Sequence, residues 1–113
     1  MTSLEEQPKQ SYLNGFEIQE QKERIEEVIA MIYRLPDEKP VERYLELMWD
    51  DIEEFKKEFQ KNHDPRTANA LRIIQEQYAT IHSFPYVLTM GELKLELQKR
   101  LAFLKHKENQ HHQ

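Results

Sequence analysis

Between Val41 and Phe59 the apolar residues Val41, Leu45, Met48, Ile52, Phe55 and Phe59 follow one another at steps of 4, 3, 4, 3 and 4. Alternating steps of four and three hold side chains on one stripe of an α-helix, whereas a half-buried strand needs a step of two. Such a seam is stable in water only when other helices cover it. The spacing predicts a helix over about 40–61. Pro40 opens it, since the N–H that proline lacks has no partner in a first turn anyway. Asn62 and His63 close it.

Three further segments carry the same signature. Ile18, Ile25, Val28, Ile29, Ile32 and Leu35 predict a helix over about 17–35, stopped by Pro36, which disfavours helical geometry in the residue before it. Asp64 as N-cap and Pro65 in the first turn start a helix over about 65–83, with Thr67, Leu71, Ile74, Tyr78 and Ile81 as its stripe. Phe84 and Pro85 end it, and Phe84 to Leu88 is the one stretch that suits extended backbone. Thr89 and Glu92 form a capping box for a helix over about 90–107, whose Met90, Leu93, Leu97, Leu101 and Leu104 face one way. Two glycines in 113 residues fit long helices and not a turn-rich sandwich. The expected fold is therefore all-α, an antiparallel up-down-up-down four-helix bundle over 16–107. A flexible N-terminal arm over 1–15 precedes it, with Tyr12, Leu13 and Phe16 near enough to fold back, and a disordered tail over 108–113 follows. A three-helix core with the fourth helix swapped onto a partner, or a helical hairpin completed by dimerisation, has the same periodicity.

Composition narrows the function classes. The chain has no cysteine, which removes disulfides, thiolate metal sites and cysteine nucleophiles. No apolar run approaches the roughly 18 residues of a membrane span, and Met1 to Gln10 lacks the apolar core of a signal segment. A reducing, cytoplasmic setting is expected. Sixteen Lys and Arg against 21 Asp and Glu give a net charge of -5, whose field repels a phosphate backbone, so nucleic acid is not an expected partner.

The polar residues do not assemble into a reaction centre. A di-iron bundle needs inward carboxylates and E-x-x-H on its helices. Here the one E-x-x-H is Glu108 to His111, and no stripe position is a carboxylate. His106, His111 and His112 read as solvated tail histidines. His63 and Asp64 are adjacent, and Asp64 is accounted for by capping. His82 reads as a flank residue of the third helix, and the isolated Gly15 and Gly91 form no phosphate loop. No catalytic, cofactor-binding or metal-binding residue is expected, and no cofactor.

Two surface patterns remain. The second helix is acidic, with Glu42, Glu46, Asp50, Asp51, Glu53, Glu54 and Glu58 against Arg43, Lys56 and Lys57. The fourth is basic, with Lys94, Lys99, Arg100, Lys105 and Lys107 against Glu96. Complementary charges of this kind set which helices become neighbours, within a chain or between chains. Apolar residues also lie off the stripes, and Tyr44, Leu47, Trp49, Ile73, Phe84, Leu95 and Phe103 are the candidate protein interface. The expected role is a non-enzymatic protein-interaction module, such as a regulator, adaptor or small chaperone, binding itself or another protein. The alternatives are a helical enzyme or metal-binding bundle, and capture of an acidic partner, nucleic acid or membrane surface by the basic fourth helix.

Overall fold

The structure, a computed structural model, describes residues 15–111. Among these residues it contains four α-helices: α1, Gly15–Ile32; α2, Val41–Asn62; α3, Pro65–His82; and α4, Met90–His111. The fold is an all-α four-helix bundle, as the periodicity predicts. Gly15 already belongs to α1, while the rest of the expected arm, with Tyr12 and Leu13, and residues 112–113 lie outside the described residues.

Helix ends follow local chemistry. α1 stops three residues short of Leu35, in a turn where the Leu35 N–H donates to the Ile32 carbonyl at 3.0 Å, because Pro36 offers no N–H to continue the ladder. Leu35 still packs on the core. The Asp64 carboxylate caps α3, accepting from the Arg66 backbone N–H at 2.9 Å. At α4 the capping box closes in both directions, with Thr89 N–H donating to Glu92 Oε1 at 3.2 Å and Glu92 N–H to Thr89 Oγ1 at 3.3 Å. α4 also runs past Lys107, where the sequence places its end, to His111. A 2.7 Å ion pair from Lys22 of α1 to Glu108 fastens the additional turn.

The two long loops are tied together at one end of the bundle. Val41 N–H donates to Leu88 O at 3.0 Å, Met90 N–H to Lys39 O at 2.8 Å and Gly91 N–H to Asp37 O at 2.8 Å, with an isolated antiparallel bridge between Pro40 and Thr89. The expected extended stretch from Phe84 to Leu88 instead turns at 85–86, where the Val87 N–H donates to Phe84 O at 3.2 Å, the bridge falls one residue later at Thr89, and no strand forms among the described residues. Gly91 lies close to the Asp37 loop: a Cβ there would stand 3.0 Å from Asp37 Cβ, so a larger residue needs that exposed side chain to give by a few tenths of an ångström. Lys94 adds bonds to Leu35 O at 2.6 Å and Asp37 Oδ1 at 2.8 Å. α2 and α4 therefore start side by side.

They do not stay together. The main packing is α1 against α4 and α2 against α3, and these two pairs are joined by α1 against α3. The core holds Ile18, Ile25, Val28 and Ile32 of α1, Val41 and Met48 of α2, Ile81 of α3, and the whole Met90 to Leu104 stripe of α4. Burial fades along the α2–α3 hairpin toward its turn. Ile52 is buried outside that core, and Phe55, Phe59, Leu71 and Ile74 are only half-buried. Among the described residues no helix is long and apolar enough to cross a membrane.

Candidate protein-interaction faces

The seven off-stripe residues do not form one patch. Trp49 and Leu47, both exposed, stand about 200° apart around α2, because each residue advances the helix by about 100°. Tyr44 is half-buried and packs against the core, and burial together with the nearby Asp51 carboxylate pushes its hydroxyl pKa up. Ile73 is half-buried, and Leu95 is exposed on α4. Two groupings remain, one built on Trp49 and one on Phe84 with Phe103.

In the first, Trp49 reaches across the hairpin to Tyr78, with ring centroids 5.6 Å apart and planes tilted by 53°. Tyr78 in turn stacks on His82 at 5.8 Å and 13°. The three rings form a ladder up the seam between α2 and α3. Lys56 Nζ stands 5.6 Å from the Trp49 ring centre, within cation–π range. The groove over this ladder is about 520 Å³ and is also lined by Leu45 and the carboxylates of Glu42, Glu46 and Asp50. It is open, aromatic and acidic, and Trp49 remains 47% exposed. Tyr78 and His82 escape the sequence reading because the first sits on the stripe and the second on its flank. The hairpin register could have found Tyr78, since it and Trp49 lie about equally far from the Asn62–Asp64 turn.

The second grouping lies between α4 and the loop that follows α3. Phe84, half-buried against the core, and Phe103, 47% exposed, line one cleft with Glu96, Lys99 and Arg100. Lys107 Nζ stands 5.7 Å from the Phe103 ring centre. Phe84 and Arg100 also line a neighbouring groove of about 430 Å³, which has Ile25 and Arg24 of α1 and Ala79 of α3 in its walls. Arg24 bridges two helices there, donating to Glu27 at 2.6 Å and pairing with Glu76 of α3, while Gln77 of α3 bonds Glu27 at 3.2 Å. Burial pushes the Glu27 pKa up, but the hydrogen bonds from Arg24 and Gln77 outweigh it and hold the carboxyl below its ordinary value. This polar clamp between α1 and α3 has no counterpart in the sequence reading. Helix faces carrying charged residues rarely announce a partner.

The carboxylates with lowered pKa values are ones that fasten the fold. Among the described residues no three His, Asp or Glu side chains gather where they could hold a metal ion. Glu92 and Asp64, the carboxylates of the two caps, have lowered pKa values because they accept hydrogen bonds: Glu92 from the Leu88 and Thr89 backbones, Asp64 from the Arg66 side chain and backbone. Their acidity follows from capping. No family model, curated protein or solved structure matches the chain.

Proposed function

We propose that the protein is a helical interaction module, working as a regulator, adaptor or small chaperone in the cytoplasm, and that its binding surfaces are the Trp49 groove and the Phe103 cleft. The observation that carries this reading is the placement of large aromatic side chains at the outer edges of clefts, half-exposed, while the core is closed without them. Each ring keeps about half of its surface open to a partner. Covering it with a partner removes apolar area at roughly 25 cal/mol per Å², and aromatic residues dominate interface energetics. The charged rims, acidic beside Trp49 and basic beside Phe103, supply orientation and partner choice. The lack of cysteine suits a reducing compartment.

Photo-crosslinking tests this directly. A benzophenone amino acid at position 49 or 103 should yield adducts with another polypeptide in cells, and one at the exposed loop residue Tyr86 should yield far fewer. Equal labelling at all three positions, or none, contradicts the reading.

A further inference from the structure

The charge bias of α2 and α4 is not satisfied within the chain. Over its whole length α2 carries seven carboxylates against four cations, with six of the carboxylates between Val41 and Glu54, and α4 carries five cations against the carboxylates of Glu92, Glu96 and Glu108. Opposite charge on two helices of one bundle ordinarily means that they lie side by side. Here the two helices are tied together at their starts through the preceding loops, and each packs mainly on α3 or α1. Among the described residues no ion pair joins α2 to α4: Arg43 and Lys56 pair with Glu46 and Glu53 of their own helix, Lys99 with Glu96 of its own helix, and Lys94 with Asp37 of the loop. Glu42, Asp50 and Arg100 make no ion pair among those residues. On these faces α2 exposes Trp49 and α4 exposes Phe103, while Leu47 and Leu95 lie elsewhere on the same helices; α1 exposes Phe16 and Met31, and α3 exposes no large apolar side chain.

We infer that the acidic α2 face around Trp49 docks on the basic α4 face around Phe103 of a second copy of this chain. Each copy offers both faces, and the dimer inferred is the reciprocal one, in which each copy's α2 face meets the other's α4 face about a twofold axis; a single head-to-tail contact would instead leave a free face and add further copies. Charge complementarity chooses the register, and the buried rings hold it. The inference rests on the reading of these faces as interaction surfaces and goes on to name the partner.

A charge swap tests it. One variant carries Glu42→Lys, Glu46→Lys and Asp50→Lys, and the other carries Lys99→Glu, Arg100→Glu and Lys107→Glu. By sedimentation velocity the wild type should be a dimer whose dissociation constant rises about tenfold or more between low and high salt, because screening weakens contacts among exposed charges. Each variant alone places like charges on both faces and should be a monomer, while an equimolar mixture should form a one-to-one heterodimer. Both helical spectra should match the wild type. If reversal disturbs the fold, Glu46→Gln with Asp50→Asn should still weaken the dimer and reduce its salt dependence. A monomeric wild type at every concentration, a reversed variant that dimerises like the wild type, a mixture that stays monomeric, or an unchanged salt dependence overturns the inference. The interaction reading fails separately: monomeric protein with crosslinked adducts of another mass removes the second copy and leaves the faces, and no adducts at all removes both.

Discussion

His63 is the one described non-glycine residue with left-handed backbone, at φ 52° and ψ 31°. It ends α2 by turning the chain there, and its N–H donates to Phe59 O at 2.7 Å. An L side chain in that region costs about 1–2 kcal/mol, part of which glycine returns as unfolded-state entropy. His63→Gly should therefore stabilise the protein by about 0.5–1 kcal/mol, measured as a higher urea midpoint with unchanged slope. The neighbouring cap has a pH signature. Asp64 and Glu92 are more acidic folded than unfolded, so their contribution is complete above the unfolded pKa and is lost as pH falls through the lower folded values. The urea midpoint should fall on going from neutral pH to about pH 3. Asp64→Asn with Glu92→Gln should lower the neutral midpoint and flatten this acid branch. An acid branch as steep as the wild type would assign the pH dependence to other groups.

The elements were legible in the sequence to the extent that burial follows a stripe. Every stripe residue expected in α4, from Met90 to Leu104, is buried, and the caps at Asp64 and Thr89 form as their residue types predict. The unbroken seam of α2 was a better guide to helix than to burial, since Phe55 and Phe59 keep the period while the core stops short of them. Periodicity records which side of a helix is apolar and not what covers it, so the pairing of α1 with α3 and the separation of α2 from α4 could not be read. Neither could the Arg24 clamp or the close approach of Gly91 to Asp37, because both depend on distant segments meeting. These differences predict unequal costs along the bundle. Leu97→Ala, in the closed core, should cost about 2–5 kcal/mol, and Phe59→Ala, near the open end of the hairpin, about 1–2 kcal/mol. Gly91→Leu should cost about 1–3 kcal/mol by forcing the Asp37 loop away. Denaturant unfolding of the three variants orders them, and Phe59→Ala as costly as Leu97→Ala would mean that the hairpin tip is covered.

At the scale of the whole molecule, the same architecture that buries the α4 stripe leaves two oppositely charged, aromatic-edged faces at separate places on the surface. Of the candidate interface residues, Trp49, Phe84 and Phe103 fall on those faces, while Tyr44 and Ile73 are half-buried and Leu47 and Leu95 stand apart from both groupings. The chain has a single tryptophan, and it sits at the centre of the acidic face. Its emission therefore reports whether that face is wet or covered. As protein concentration rises at low salt, Trp49 emission should shift to the blue and acrylamide quenching should fall, and added salt should reverse both. Emission and quenching that stay constant across concentration and salt would contradict docking of a second copy on this face.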